Sequence, residues 1–425
     1  MTKKSILIIG SGGREHALGW KLKQSPKVSK IYFAPGNAGT DLIGENLPID
    51  ALDTNSLIKF ALKNHIDLTI VGPDDALAKG VVDTFQKKGL RIFGPKKRAA
   101  QIESSKAFAK KLMREQNIPT AKHAVFKDFK KAKAYLSGQS LPIVIKASGL
   151  ALGKGVIIAN TRQEAEKTLA DIMVNKIFGD AGNEVILEEY LQGHEVSIHV
   201  FSDGNTFKLF PTARDHKPIF DDNRGPNTGG MGTIAPLPYV TKKQLKLIAK
   251  TVVEPVIRGM KKRGIPFTGL LYPGLMMTKD GPKVLEFNAR FGDPETQSYM
   301  RLLKTDLLDI LLSCVEGSLS KQKISWSTKS ACCIILASDG YPGNYKKGEV
   351  IHGLKKVEND KNIFIFHAGT KLDKDITVTN GGRVLGVTAT GKTLKEALKK
   401  AYSIIGQKKI HFTGMQYRKD IGFTG

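Results

Sequence analysis

The chain has 425 residues, 41% hydrophobic and 25% charged, which is enough for a sizeable core and two to four domains. Its net charge of +26 comes from lysines dispersed in short pieces on segments of helical periodicity, with no aromatic-interleaved RNA-binding signature, so it reads as solvated surface that also attracts phosphorylated substrates. No apolar stretch is long enough to span a bilayer, residues 6–9 are too short for a signal-peptide core, and three cysteines (Cys314, Cys332, Cys333) make no disulfide framework, which fits a reducing cytoplasm.

The first hundred residues alternate strand and helix, with strands at 5–9, 30–34, 68–71 and 91–93 and helices at 15–24, 56–64 and 75–88. That alternation predicts a doubly wound parallel sheet whose ligands lie outside the carboxyl ends of the strands. Turn-forming residues follow each strand, beginning with Gly10-Ser11-Gly12-Gly13. The third glycine of a dinucleotide fingerprint falls on Glu15, and the second strand ends in Ala34-Pro35-Gly36 without an acidic residue, which argues against a redox cofactor. Two readings of this loop stay open: an anion site at a helix N-terminus, suited to a small phosphate ester, or a tight structural turn.

A helix at about 104–116 leads to the break Ile118-Pro119, and residues 121–191 have a strand–helix rhythm of their own, as in a small inserted domain. Strands at 142–146 and 156–159 flank the glycine-rich residues 148–155, which are one residue short of a Walker A loop and carry Gly155 where a hydroxyl would touch Mg²⁺. Such a hairpin suits a flap that folds over phosphates with its N–H groups. Lys146 is placed to reach a phosphate as a point charge, and Lys106 is a candidate for the same role from its helix. The extended run 185–191 offers its backbone to an adenine edge, and Glu195 lies near enough to accept from ribose hydroxyls.

From 193 to 325, strands fit 195–202, 206–209, 269–277 and 283–288, and long helices fit 242–263 and 303–316. Asp215-His216-Lys217 and the glycine-rich residues 225–232 supply polar groups without bulk, as a loop wrapping a sugar phosphate needs. The run 286–295 is the most informative. A strand places Glu286, Asn288 and Arg290 on one face and Phe287 and Ala289 on the other. A carboxylate beside an amide oxygen suits Mg²⁺, and the neighbouring guanidinium suits an anionic substrate group. Residues 329–425 are strand-rich with one amphipathic helix at 393–405. No nucleophile elbow and no zinc spacing occurs, so the chemistry is expected to use no covalent enzyme nucleophile.

Together residues 8–17, 35–37, 146–150, 153–155, 215–217, 225–232, 286–295, 379–388 and 417–422 resemble the ATP-grasp ligases, and within them the glycinamide ribonucleotide synthetase family. The resemblance implies an α/β fold of four parts: an N-terminal parallel-sheet domain (1–103), an ATP-grasp core (104–120 and 192–326), a small α+β flap subdomain inserted in it (121–191), and a strand-rich C-terminal domain (327–425). It implies that ATP, glycine and 5-phosphoribosylamine give glycinamide ribonucleotide, ADP and phosphate through a glycyl acyl phosphate, in purine synthesis. By carry-over, Lys106, Lys146, Gly153 and Gly155 hold phosphates, Glu188, Glu189, Tyr190 and Leu191 meet adenine, and Glu195 the ribose. Glu286 and Asn288 hold Mg²⁺ or Mn²⁺, while Arg290, Asp215 and Lys217 are the catalytic candidates. Gly12, Gly13, Asn37, Asn227, Thr228, Gly229, Gly230 and Asp293 face the other substrates. A cytoplasmic monomer or weak dimer without nucleic-acid or membrane partners is expected. Another ATP-grasp carboxylate–amine ligase and a basic nucleic-acid-binding protein are the rival readings; the 225–232 loop argues against the first. Three departures from the family pattern occur: Asp74 for the usual glutamate, Thr233-Ile234-Ala235 without the usual serine, and Asp222-Asn223-Arg224 before Gly225.

Overall fold

The structure is a computed structural model that describes residues 3–151, 154–357 and 360–423. A parallel sheet opens the chain, its central strand Lys4–Gly10 flanked by Val28–Pro35 on one side and Leu68–Val71 on the other, with Glu45–Asn46 and Ile92–Phe93 at the edges. Ile6, Leu7, Ile8 and Ile9 are all fully buried, because helices cover both faces of the sheet. That explains why the strand is continuously apolar rather than alternating. Each such side chain stabilises the fold by about 1.5–3 kcal/mol.

Two antiparallel sheets follow. Residues 121–191 form a four-stranded sheet, in which Ile143–Ala147 pairs with both Val156–Ala159 and Val185–Glu189, and His123–Phe126 closes the edge. Helices Phe129–Ser137 and Arg162–Met173 pack on it around a core of their own that includes Ile145, Leu169 and Leu187. The second sheet is organised by the long strand Thr268–Thr278, which pairs with His194–Ser197, Val200–Asp203 and Gly281–Asn288. A six-stranded antiparallel sheet joins Arg214–Asp215 and Gly232–Ala235 to strands from the end of the chain, with Ser330–Ser338 and Arg383–Gly391 at its centre. Among the described residues no helix is long and apolar enough to cross a membrane.

Several elements differ from the sequence expectation. The helix expected at 75–88 is two helices, Asp74–Lys79 and Val81–Lys87, broken at Gly80, whose φ of 90° puts it in the left-handed region that favours glycine. The helix expected from 104 begins at Lys106, after Ser105 leaves helical geometry and its side chain caps Phe108 N at 3.2 Å; a separate helix, Lys97–Ser104, precedes it. The strand expected at 195–202 is two strands, because the chain leaves the ladder between Ser197 and Val200. The helix expected at 242–263 is continuous but contains a π turn at Ala249–Val253. Helix Glu295–Leu302, absent from the sequence reading, begins at the last residue of the informative run and buries almost its whole length.

All three cysteines are free and buried: Cys314 in the core beneath the parallel sheet, Cys332 in the large core between the last sheet and the core helices, and Cys333 on the opposite face of the same strand. Burial pushes the Cys332 thiol up to about 12, and the other two also rise.

Candidate active site

A cleft of about 520 Å³ is walled by the sheet of residues 123–189, the Gly281–Asn288 strand, the glycine loop of residues 225–232 and Arg383 at the start of strand Arg383–Gly391. That volume suits a nucleotide-sized ligand. On the flap side two lysines grip one carboxylate. Lys146 Nζ, on strand Ile143–Ala147, lies 2.9 Å from Glu188 Oε2 and donates to Leu285 O at 3.0 Å. Lys110 Nζ, one helical turn past Lys106, lies 2.9 Å from Glu188 Oε1 and donates to Thr120 Oγ1 at 2.7 Å. Thr120 in turn donates to Val284 O.

All three ions are almost fully buried, and two ammonium groups share one carboxylate, so removing Glu188 would leave two like charges buried side by side. Burial would raise the Glu188 carboxyl, but Lys146 and Lys110 outweigh it and hold it low; burial brings the Lys110 ammonium down to about 8. Glu188 and Lys110 are therefore ionised at neutral pH. Lys106 Nζ donates to Gly149 O at 3.2 Å and its own N–H to Ser148 O, which ties the helix start to the flap hairpin.

Val144, Ile158, Leu191, Met276, Leu285 and Phe287 give the cleft an apolar lining. Glu189, Tyr190, Glu195 and Gly155 also line it, whereas Gly153 lies outside the described residues. The Glu189 carboxylate is engaged, accepting from Lys122 N at 3.0 Å and pairing with Lys283 Nζ at 3.4 Å.

The Gly281–Asn288 strand presents Glu286 and Asn288 to the cleft while Phe287 is buried. Their ladder partners are Gly274 and Tyr272, and the small Gly274 leaves room beside Glu286. Burial would raise the Glu286 carboxyl, but Lys217, Lys106 and Lys146 outweigh it and hold it at about 2. Lys217 Nζ stands 3.4 Å from Glu286 Oε1. Among the described residues no group of three or more His, Cys, Asp or Glu side chains could enclose a metal. The Glu286 carboxylate and the Asn288 amide oxygen are a donor pair that would suit a hard cation such as Mg²⁺.

Arg290 lies past the end of the ladder and reaches the cleft by a bend. Its Nε is 3.4 Å from Glu103 Oε1, and Glu103 Oε2 accepts from Ala289 N at 2.7 Å. Burial pushes the Glu103 carboxyl up to about 7, against the pull of Arg290.

Beside the glycine loop, Asp215 closes strand Arg214–Asp215 and is buried, with Oδ1 lacking a hydrogen-bond partner among the described residues. Burial and the Glu295 carboxylate push its carboxyl well up, opposed by Lys217 and Arg383. Thr228 N and Oγ1 both donate to Lys217 O, at 2.9 and 2.7 Å, and Thr228 Oγ1 accepts from Gly230 N at 2.9 Å. Gly230 has a φ of 113° and lies against Asp215. The Asp293 carboxylate accepts from Gln297 Nε2 at 2.8 Å and pairs with Arg383.

Not every residue expected to face the substrates lines this cleft. Gly12, Gly13, Asn37 and Gly230 are not among the residues lining the cleft; Asn227, Thr228, Gly229 and Asp293 are. In the first glycine loop the Glu15 carboxylate turns inward, accepting from Gly12 N at 2.7 Å and Arg14 Nε at 2.6 Å. Asn37 is equally committed: its Nδ2 donates to Ser11 O and His367 O, and its Oδ1 accepts from Gly39 N and Thr40 N. Arg14 and Asp74 are what this region contributes to the cleft.

The sequence reading also missed Glu103, Lys110, Glu295, Tyr341 and Arg383, all cleft-lining. Lys110 had a local signal, standing four residues after Lys106 on the same helix face. Of the departures, Thr233 is occupied structurally, its hydroxyl donating to Pro294 O at 3.1 Å and lying 3.0 Å from Ser298 Oγ. Asp222 and Asn223 take positive φ values of 59° and 54° at a hairpin tip.

A flap sheet over a carboxylate–amide pair, with buried lysines between them, defines an ATP-dependent ligase of the ATP-grasp class. Residues 104–296 match the model of the phosphoribosylglycinamide synthetase ATP-grasp (A) domain, residues 4–103 its N domain and residues 331–424 its C domain. Phosphoribosylamine–glycine ligase of Caldanaerobacter subterraneus subsp. tengcongensis is 50% identical over 416 residues, covering 98% of this chain and 99% of that protein. Its counterpart in Escherichia coli O157:H7 is 48% identical over 424 residues, 98% of each chain. The crystal structure of phosphoribosylamine–glycine ligase from Thermotoga maritima superposes with a TM-score of 0.86 at 33% identity, covering 98% of this chain and 100% of that one. A biotin carboxylase domain from Hydrogenobacter thermophilus shares the fold, with a TM-score of 0.75 at 15% identity, over 98% and 92% of the two chains. The chain belongs to the phosphoribosylglycinamide synthetase family.

Proposed function

We propose that the cleft joins the carboxylate of glycine to the amine of 5-phosphoribosylamine, with ATP cleaved to ADP and phosphate through a glycyl acyl phosphate. One observation carries the reading: Glu286 stays ionised beside Asn288 on a single strand, faced by Lys106, Lys146 and Lys217. The amine is nucleophile enough, so the protein supplies position and charge rather than a covalent partner.

Lys106 and Lys146 take the nucleotide phosphates under the Gly155 hairpin, Leu191 and its neighbours meet adenine, and Glu195 takes the ribose hydroxyls. Glu286 and Asn288 hold Mg²⁺, with Mn²⁺ as a substitute; when bound it neutralises the charge that develops on the transferring phosphoryl group. Arg290 and Lys217 face the acyl phosphate oxygens. Asp215, whose carboxyl is raised by burial and Glu295, is placed to hold a proton at the attacking amine. Asn227, Thr228, Gly229 and Asp293 contact glycine and the sugar phosphate. We divide the chain for these tasks at about 103, 120, 191 and 326, and assign the reaction to the cytoplasm, as a monomer or weak dimer without nucleic acid. In support of that setting, the three thiols are free.

The test is a coupled assay of ADP release by the purified protein. Release is expected to require glycine, phosphoribosylamine and a divalent cation together. Equal turnover with another amino acid in place of glycine overturns the assignment.

A further inference from the structure

The Gly229 peptide is held on both sides by side chains from the last hundred residues. Its N–H donates to Tyr341 Oη at 3.0 Å, and its carbonyl accepts from Arg383 Nη1 at 2.6 Å. The same nitrogen donates to Asp293 O at 2.6 Å, while Nη2 lies 3.3 Å from Asp293 Oδ2. One planar guanidinium therefore joins the tip of the glycine loop to the turn that follows the Glu286 strand, a multiple contact that a lysine ammonium cannot reproduce.

The surroundings are built to this arrangement. A Cβ on Gly229 would lie 3.1 Å from Arg383 Cζ, and one on Gly382 would run into the Tyr341 ring. Both side chains line the cleft next to Asp215 and Asp293, and neither takes part in the Lys110–Glu188–Lys146 triad.

We propose that Arg383 and Tyr341 are positioning residues for the two acceptor-side substrates, fixing the Gly229 peptide so that Asn227 and Thr228 present their groups to glycine and the sugar phosphate. This rests on the ligase reading above. The loss of either clamp falls on glycine and phosphoribosylamine and spares ATP.

Steady-state kinetics of the full chain carrying Arg383→Lys or Tyr341→Phe tests it. For Arg383→Lys, kcat/KM for glycine and phosphoribosylamine is expected to fall about 10- to 100-fold, the worth of charge-assisted hydrogen bonds. For Tyr341→Phe, which keeps the ring and loses only the acceptor, the fall is about two- to tenfold. The KM for ATP and the Kd for Mg–ADP stay within about twofold of the parent, since their contacts are unaltered. A purely structural role predicts equal losses for all three substrates, and that outcome overturns the proposal. So does a Tyr341→Phe enzyme with unchanged acceptor kinetics, in a background where the parent shows glycine-dependent ADP release. A parent that releases ADP without glycine instead removes the ligase reading, and the clamp with it.

Discussion

Where Lys110, Lys146 and Glu188 meet, every charge has an opposite charge at 2.9 Å, whereas Asp215, beside the glycine loop, keeps a buried oxygen with no hydrogen-bond partner among the described residues. In the first arrangement the carboxylate is neutralised within the fold, Glu188 Oε1 meeting Lys110 as an ion pair without an aligned hydrogen bond, and one positive charge is left over for an anion. That arrangement spends its desolvation cost on folding and gives the nucleotide a wall already in place. The second holds back a polar atom that only a further group can satisfy, and it sits where a substrate amine is expected. Buried charge thus does two jobs within one cleft: a paired network fixes geometry, and an open valence waits for chemistry.

The comparison breaks most sharply at Glu286. Replacing it with alanine removes the anion around which Lys106, Lys146 and Lys217 gather, and turnover is expected to fall by about three orders of magnitude or more. Mg²⁺-dependent ATP binding should vanish while circular dichroism stays that of the parent. Retained turnover refutes the metal assignment.

Next in size is Lys110→Met, which leaves Glu188 with Lys146 alone. It should cost about 1.5–3 kcal/mol of stability in denaturant titration, the worth of one charge-assisted contact to a carboxylate that Lys146 still pairs. It should also raise the KM for ATP more than that for glycine. A variant as stable as the parent means that the triad is not the rigid wall described here.

The smallest effect concerns Glu103, the partner of Arg290. Its carboxyl moves from an ordinary 4.5 up to about 7 in the folded protein. Between those values the folded chain still holds a proton that the unfolded chain has released, so stability falls as pH rises through that window. Glu103→Gln should flatten this part of the pH profile of thermal unfolding. An unchanged slope places the titration elsewhere.

What could be read in advance followed local periodicity. Glu286 and Asn288 were legible because strand alternation alone puts them on one face, and Lys146 because it precedes a glycine hairpin. The glycine loop of residues 10–13 was legible as a loop but not in its contents. Only the folded chain shows that Glu15, three residues on from Gly12, supplies its own carboxylate to the Gly12 N–H. Arg383 and Tyr341 carried no local signal toward a site, since they reach Gly229 across more than a hundred residues of chain. Glu103 was hidden for a different reason: it lies near the end of a short helix, Lys97–Ser104, to which the sequence reading assigned no element.

The three thiols, each enclosed in different packing, have a practical corollary. A maleimide or disulfide reagent can reach Cys314, Cys332 or Cys333 only when the hydrophobic cluster around that sulfur opens. The rate at which each one is modified, resolved by mass spectrometry of the peptides, clocks the opening of its own compartment without any added label, and nucleotide or glycine can then be scored by which clock it slows.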